Sequence, residues 1–194
     1  MPRCAAHGAA VAHCKKLVHG PGPALHSSIR MPGWKSGADT SRMGFFDVAA
    51  QVRPGLWFGP MPAGDWDFPA ANIGLLVTLS EHVPPQAARR YMWGTSGDAA
   101  GEGTILFIHW PIEDGDLPDE RLLTALVDTV VAAVRAGVNV YVHCFEGRNR
   151  SALVAGLAHQ QLDGVSPAEA LERLRSVRTG VLGNKAFAGL FENW

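Results

Sequence analysis

The chain has 194 residues, of which 47% are hydrophobic and 18% charged, and its formal net charge is -1. These values indicate a globular protein with one ordinary hydrophobic core, and they exclude a general electrostatic attraction to nucleic acid or to an anionic membrane. We therefore expect one folded domain and no nucleic-acid partner. The sequence contains no apolar run long enough for a membrane span and no secretory signal, which predicts a cytoplasmic location. Three cysteines, Cys4, Cys14 and Cys144, are too few for a disulfide framework, so Cys144 is predicted to be a free thiol.

Residues 1–43 differ in composition from the remainder of the chain. They contain four histidines, six basic residues and a single acid, Asp39, without helical or strand periodicity. This composition is typical of a disordered basic tail, and a transit peptide is an alternative that shares it. The spacing of Cys4, His7, His13 and Cys14 lacks the pairs of a zinc finger or ribbon, so we predict no metal site there. The folded domain is expected over residues 44–194.

From residue 44 onward, strand-like and helix-like segments alternate. Residues 55–59, 73–79, 104–110 and 138–143 are predicted strands because they are rich in β-branched and aromatic side chains. Residues 119–135 carry an apolar stripe at helical spacing, with Gly137 as the expected C-cap. Further helices are predicted over residues 151–162, 166–177 and 184–192, the second opened by Ser166 and Pro167. The pattern predicts an α/β domain with a central, mostly parallel sheet flanked by helices.

The loop that follows the last predicted strand carries the chemistry. Ligands of such sheets bind beyond the C-terminal ends of the strands, and a loop that leads into a helix there can direct several backbone N–H groups at one anion. The planar side chain of Arg150 suits two oxygens of a phosphate. The same surroundings favour the thiolate form of Cys144, which is a nucleophile. The loop therefore indicates that Cys144 is a catalytic nucleophile and that phosphate is bound by Phe145, Glu146, Gly147, Arg148, Asn149 and Arg150. From the loop alone, a buried structural cysteine is an equal alternative.

Attack of a thiolate on a phosphate monoester also requires an acid that protonates the leaving oxygen. Residues 110–119, with the sequence WPIEDGDLPD, follow the third predicted strand and contain four candidates, which are Glu113, Asp114, Asp116 and Asp119. Each could equally be a solvated loop charge, and Asp119 is also favourable beside the N-terminus of the next helix. Composition and spacing alone leave the choice among them open.

The string His143-Cys144-x-x-Gly147-x-x-Arg150-Ser151 resembles the signature of the cysteine-dependent protein tyrosine phosphatases. The resemblance is closest to their compact dual-specificity branch and extends from about residue 52 to the C-terminus. It implies an α/β domain of that type and catalysis through a cysteinyl-phosphate intermediate, without a metal or another cofactor.

The resemblance also assigns roles to individual residues. It implies that Asp114, which precedes Gly115 and lies 30 residues before Cys144, is the general acid, with Asp116 as the second candidate. The hydroxyl of Ser151 would donate to the sulfur of the departing cysteine, although a serine at a helix start also bonds locally. Asn184-x-x-Phe187 is similar to a C-terminal motif of the branch that packs beneath the site, and a helix cap followed by a core aromatic explains it equally well.

The implied substrate is a phosphorylated protein, carrying phosphotyrosine or also phosphoserine and phosphothreonine, or a small phosphate monoester. Three alternatives stay open. A phosphoinositide phosphatase is disfavoured by Glu146 in the loop, because an acid repels a polyphosphorylated ring. An RNA 5′-phosphatase shares an asparagine before the arginine, here Asn149, and is disfavoured by the absence of overall basicity. A non-catalytic phosphate-binding module is disfavoured because nucleophile, arginine and acid are all present.

His143 is expected to be structural, and the sequence makes no prediction of the oligomeric state.

Overall fold

The structure, a computed structural model, describes residues 48–62, 68, 71–83 and 105–194. These residues include five strands and four helices. The strands are β1 (Ala50–Arg53), β2 (Leu56–Gly59), β3 (Leu75–Thr78), β4 (Leu106–His109) and β5 (Val140–His143). The helices are α1 (Glu120–Arg135), α2 (Arg150–Asp163), α3 (Pro167–Val177) and α4 (Lys185–Asn193). The basic tail predicted over residues 1–43, with Cys4, His7, His13 and Cys14, lies outside the described residues.

The strands form one sheet in the order β1-β2-β5-β3-β4. Strands β2, β5, β3 and β4 are parallel neighbours, and β1 pairs antiparallel with β2 at one edge. The prediction of a mostly parallel α/β sheet is therefore confirmed. The sequence did not predict β1, which reaches β2 through a tight turn at Pro54 and Gly55, where the glycine adopts a φ of +85°. Because β5 lies at the centre of the sheet, the loop after it is flanked by the ends of two other parallel strands.

The three inner strands β2, β5 and β3 are packed on both faces, and their successive residues contribute to different hydrophobic clusters. Leu75, Val77 and Val142 pack in the cluster that contains the buried residues of the four helices. Leu76 and Tyr141 belong to a second cluster on the other side, together with Phe68, Ala71, Ile73 and Ile105. This alternation is the period of two expected for a strand. It explains why the strands read as continuous apolar runs rather than as alternating ones.

The helix boundaries agree with the capping signals of the sequence, with one correction. Asp119 is the N-cap of α1, and Ser166 forms a capping box with Glu169 at the start of α3. Gly137 is not the C-cap of α1, because Ala136 occupies that position and Gly137 follows it with a φ of +81°, a left-handed conformation that glycine adopts without strain. Helix α2 contacts the other three helices and is buried over ten consecutive residues. Within the described part of the chain, no helix is long and apolar enough to cross a membrane.

Candidate active site

The loop of residues 144–149 joins the central strand β5 to the N-terminus of the buried helix α2. It is attached to the end of the neighbouring strand β2. The backbone N–H of Cys144 donates to the Gly59 carbonyl at 3.3 Å, and the N–H of Met61 donates to the Phe145 carbonyl at 3.1 Å. The side chains of Phe145, Glu146 and Arg148 are exposed. Two backbone hydrogen bonds therefore fix the start of the loop to the end of β2 and the residues after it.

The sulfur of Cys144 lies inside this loop and is surrounded by potential hydrogen-bond donors. Only 1% of Cys144 is exposed. The N–H of Gly147 donates to Sγ at 3.2 Å, and the hydroxyl of Ser151 lies 3.4 Å from Sγ, within hydrogen-bonding distance for sulfur. The two described contacts of the sulfur therefore come from the cysteine loop itself and from the first turn of α2. Helix α2 begins at Arg150, so Ser151 lies in its first turn rather than at its cap.

Three contacts from the C-terminal segment support the loop from outside, and the sequence did not reveal them. Arg178 donates to the Glu146 carbonyl at 2.9 Å, and Leu182 donates through its backbone N–H to the Arg148 carbonyl at 3.0 Å. The N–H of Asn184 donates to Oδ1 of Asn149 at 3.3 Å. Burial is the main cause that lowers the pKa of the Arg178 guanidinium. The electrostatic interaction with the nearby Tyr141 opposes this effect most strongly.

The loop that carries the predicted acid is held at the same edge of the sheet. The N–H of Trp110 donates to the Thr78 carbonyl at 3.0 Å and the N–H of Ile112 to the Leu79 carbonyl at 3.1 Å. Nη1 of Arg150 then donates to the Ile112 carbonyl at 3.0 Å, and Nε of Arg150 lies 3.8 Å from Oδ2 of Asp114. The carboxylate that the resemblance selects therefore lies beside the arginine of the cysteine loop.

The other acidic candidates of this loop have different surroundings. Asp119 accepts hydrogen bonds from the backbone N–H groups of Arg121 and Leu122, which caps α1. The hydrogen bond from the Arg121 side chain is the main cause that lowers the pKa of Asp119, followed by the bond from the Leu122 backbone. Asp116 lines a groove of about 270 Å³ between the loop and the start of α1, and Glu113 lines the same groove. We infer that Asp119 has a structural function as the cap of α1. Asp116 lines this groove, whereas Asp114 lies beside Arg150.

His143 is a buried structural residue, as the sequence predicted. Its Nε2 lies 2.7 Å from the Thr78 hydroxyl, and its ring stacks on Tyr141 at a centroid distance of 5.7 Å. Burial is the main reason that its pKa falls to about 3, and the polar backbone of the adjacent Cys144 offsets this effect only in part. The imidazole is therefore neutral at physiological pH and faces away from the helix-covered side of the sheet.

Two asparagine side chains that the sequence did not connect with the acid are in contact with it. Nδ2 of Asn149 donates to both carboxylate oxygens of Asp114, at 3.1 and 3.3 Å, and Nδ2 of Asn184 lies 3.4 Å from Oδ1. Asn149 was expected to bind phosphate as part of the loop, and Asn184 to cap α4 or to pack beneath the site. The only available signals were the asparagine before Arg150 and the Asn-x-x-Phe motif.

Comparison with known sequences gives a partial match. The model of the family described as Cyclin-dependent kinase inhibitor 3 (CDKN3) matches residues 91–171. The mouse protein of that name is 33% identical over 74 residues, which covers 38% of this chain and 35% of the mouse protein. The human protein is 32% identical over 75 residues, with the same coverage. The match therefore spans about a third of the length of these relatives.

Comparison with solved structures extends over most of the chain. The active form of Tk-PTP has a TM-score of 0.62 at 24% identity and covers 77% of this chain and 99% of its own. A mouse putative dual specificity phosphatase, solved as a complex with zinc tungstate, has a TM-score of 0.58 at 26% identity, covering 83% and 90% of the two chains. The order of the strands, the cysteine loop after the central strand and the likeness to these solved structures all indicate the same fold. The chain is a member of the cysteine-dependent protein tyrosine phosphatase superfamily, with the compact fold of the dual-specificity type.

Proposed function

We propose that this chain hydrolyses phosphate monoesters on proteins, acting on phosphotyrosine and also on phosphoserine and phosphothreonine, through a cysteinyl-phosphate intermediate. One observation carries the proposal. Asp114 lies 3.8 Å from Arg150 although helix α1 and strand β5 separate them in the chain. This contact brings a carboxyl group next to the loop that holds the Cys144 thiol, so that nucleophile, phosphate ligand and acid share one end of the sheet.

In the proposed first step the Cys144 thiolate attacks phosphorus, the bond from phosphorus to the leaving oxygen breaks, and Asp114 gives its proton to that oxygen. The loop N–H groups and Arg150 bind the remaining phosphate oxygens. Among the described residues the buried Nε of Arg150 has no hydrogen-bond partner, because 3.8 Å to Asp114 is too long for a hydrogen bond. A phosphate oxygen is a suitable partner for this donor.

In the proposed second step a water molecule attacks the phosphocysteine. Asp114, now ionised, accepts a proton from the water, and the bond between phosphorus and sulfur breaks to release phosphate. The departing Cys144 sulfur is left as a thiolate. The Ser151 hydroxyl at 3.4 Å and the Gly147 N–H at 3.2 Å support its assignment as the stabilised leaving group. Every group in this scheme belongs to the protein, so we propose that no metal is required.

The proposal that the substrate is a phosphoprotein rests on the relatives. The similar mouse protein is named an inhibitor of a cyclin-dependent kinase, which identifies a protein as its target, and a solved neighbour is titled a putative dual specificity phosphatase. Because the sequence match spans about a third of the mouse protein, we extend to this chain only the class of substrate and not the individual partner.

The test is hydrolysis of a small aryl phosphate by the purified full chain in the presence of EDTA, between pH 5 and 8. We expect Cys144→Ser to abolish turnover and Asp114→Asn to reduce kcat by roughly 10²- to 10⁴-fold, the usual contribution of a general acid. Arg150→Lys should reduce kcat/KM by about 10²-fold or more, because lysine lacks the two-pronged geometry of the guanidinium. Asp116→Asn is the matched control for Asp114→Asn.

Three outcomes would contradict the proposal. Turnover that survives in Cys144→Ser would exclude the cysteinyl-phosphate, and loss of turnover on addition of EDTA would show a metal requirement. A wild-type protein that binds tungstate without turning over any phosphorylated peptide would be a phosphate-binding module. The peptide panel should carry each of the three phosphorylated side chains, with a phosphoinositide and a 5′-phosphorylated RNA beside them, because preference for either would redirect the assignment of the substrate.

A further inference from the structure

The carboxylate of Asp114 is held by two amide side chains from distant parts of the chain. Oδ1 accepts from Nδ2 of Asn149 at 3.1 Å and lies 3.4 Å from Nδ2 of Asn184, whereas Oδ2 has only the longer 3.3 Å contact with Asn149. Asn149 precedes the loop arginine, and Asn184 begins the last helix, α4. The two asparagines therefore connect the acid loop to the phosphate loop and to the C-terminal helix.

The other bonds of each asparagine fix the orientation of its amide. Oδ1 of Asn184 accepts from the N–H groups of Ala186 and Phe187, at 2.9 and 3.4 Å, which caps α4. Oδ1 of Asn149 accepts from the Asn184 N–H at 3.3 Å. An amide oxygen that accepts from N–H groups directs its NH₂ to the other side. Both Nδ2 groups are therefore left to donate to Asp114, and the fully buried Phe187 anchors the helix that carries Asn184.

The position of Asn149 suggests that its side chain is used for this contact rather than for local structure. It is the N-cap residue of α2, a position where asparagine usually caps the helix, yet its side chain makes no capping hydrogen bond. The bonding capacity of the side chain goes instead to Asp114 and to the Asn184 backbone.

A carboxylate beside a guanidinium tends to form a two-pronged ion pair with it. Such a pair between Asp114 and Arg150 would occupy both the acid and the phosphate ligand. In this structure the two groups stay 3.8 Å apart, and the neutral amides take the carboxylate instead. Oδ1 carries two amide contacts, so Oδ2, which lies on the Arg150 side, is the carboxylate oxygen with fewer hydrogen bonds.

We propose that Asn149 and Asn184 are positioning residues for the general acid. They hold Asp114 apart from Arg150 and direct Oδ2 of the acid toward the leaving oxygen of the substrate. This inference rests on the function proposed above and adds two residues through which the cysteine loop and the last helix control proton transfer.

The test compares two aryl phosphates that differ in their need for an acid. Phenyl phosphate has a basic leaving group that must be protonated, whereas the leaving group of a dinitrophenyl phosphate departs as a stable anion. Asn184→Ser keeps a side-chain oxygen for the cap of α4 and removes the donor to Asp114. We expect kcat for phenyl phosphate to fall by about tenfold or more, and the ratio of the two kcat values to shift in the same direction as in Asp114→Asn.

Three further variants separate positioning from a structural effect. Asn184→Asp also keeps the cap, but places a carboxylate 3.4 Å from Asp114, and should lower kcat for phenyl phosphate at least as strongly. Asn193→Ser alters another asparagine of α4, whose amide donates to the Gly189 carbonyl, and should leave the ratio of the two kcat values unchanged. In the Asp114→Asn background, Asn184→Ser should have no further effect on that ratio, because the positioned group is already gone.

The outcomes distinguish this inference from the proposed function. If Asp114→Asn shifts the ratio and Asn184→Ser does not, or if Asn184→Ser lowers kcat equally for both substrates, the positioning role is wrong and the phosphatase assignment stands. If wild type turns over neither substrate, or if Asp114→Asn affects both equally, the acid assignment and the positioning role are both wrong.

Discussion

Gly147 of the cysteine loop packs directly against the backbone of Gly59 at the end of β2. A Cβ added to Gly147 would collide with the carbonyl carbon of Gly59 and with the nitrogen of Pro60, and would lie 2.6 Å from the Gly59 carbonyl oxygen. Gly147 also has a φ of +69°, a region that side chains rarely adopt. Close approach and backbone conformation together permit only glycine at this point, and its N–H is the one that donates to the Cys144 sulfur.

We therefore predict that Gly147→Ala disrupts the loop. The collision is with backbone atoms, which cannot move aside as the end of a flexible side chain could. The free energy of unfolding should fall by about 1–3 kcal/mol from the collision, in addition to about 1–2 kcal/mol for the left-handed conformation. Hydrolysis of an aryl phosphate and binding of tungstate should both be lost. Chemical denaturation and tungstate titration measure the two effects.

Gly164→Ala is the matched control for this prediction. Gly164 has a φ of +65° at the end of α2, and an added Cβ would meet nothing within 4 Å. This variant should lose only about 1–2 kcal/mol of unfolding free energy and keep its tungstate affinity. Equal effects of the two substitutions would show that conformation alone, and not the contact with Gly59, restricts position 147.

Ser151→Ala is predicted to slow the second chemical step more than the first. The hydroxyl lies 3.4 Å from the Cys144 sulfur, where in the proposed mechanism it donates to the thiolate that leaves during hydrolysis of the phosphoenzyme. A hydrogen bond to a charged group contributes about 1.5–3 kcal/mol, so kcat should fall by roughly 10- to 100-fold. Rapid-mixing measurements should then show a burst of about one leaving group per protein molecule.

The control for Ser151→Ala is Ser176→Ala, which removes an exposed hydroxyl that donates only to the Arg173 carbonyl on α3. It should leave the kinetics unchanged. A fall in kcat for Ser151→Ala without a burst would place the effect in the first step and contradict the role assigned to the hydroxyl.

The elements with strong apolar patterns could be predicted from the sequence, and the antiparallel edge strand β1 could not. Strands β2 to β5 and all four helices lie within a few residues of their predicted bounds, because each combines an apolar run with a turn or cap signal. Strand β1 has the sequence AQVR, with exposed Gln51 and half-buried Arg53 between its apolar residues. Four residues with two polar side chains give too short a pattern, and only pairing with β2 makes the segment a strand.

The centre of the candidate site could also be predicted from sequence, but its support could not. Cys144, Gly147, Arg150 and Ser151 are close in the chain, so their proximity follows from one strand-loop-helix connection. The contact of Asn184 with Asp114 joins residues 70 positions apart and depends on how α4 packs against α2. No local pattern encodes such a contact, since the same asparagine is explained completely as a helix cap.

We predict that Gly156→Ala destabilises the packing of α2 against α3 and α4. An added Cβ would lie 2.5 Å from Cε2 of Phe191 and 2.8 Å from Cδ1 of Leu174, both of which are fully buried. Overpacking of this kind costs about 1–3 kcal/mol of unfolding free energy. The helical Gly189, where a Cβ would meet nothing within 4 Å, is the control, and Gly189→Ala should instead stabilise the protein by about 0.5–1 kcal/mol. Thermal denaturation of both variants measures the difference, and stabilisation by both would show that α2 can shift to make room.

The buried imidazole of His143 is predicted to make the protein less stable at acidic pH. Burial lowers its pKa to about 3, whereas a histidine in the unfolded chain has its ordinary value near 6.5. Between these values the unfolded chain binds a proton that the folded protein does not bind. Stability therefore rises with pH across this window and is lost as the pH falls below about 6.5. The slope contributed by one such group approaches about 1.4 kcal/mol of unfolding free energy per pH unit.

Urea denaturation of wild type and of His143→Gln, at pH values from 7.5 down to 4.5, measures this contribution. Other titrating groups are common to both proteins, so the difference between the two stability curves isolates His143. We expect the wild type to lose more stability than the variant as the pH falls. Thr78→Val is the control, because it removes the 2.7 Å hydrogen bond to Nε2 but leaves the imidazole buried, and it should lower stability while keeping the wild-type slope. Parallel curves for wild type and His143→Gln would mean that the folded protein accepts the proton, and that His143 is less completely shielded from water than its position between β3 and Tyr141 indicates.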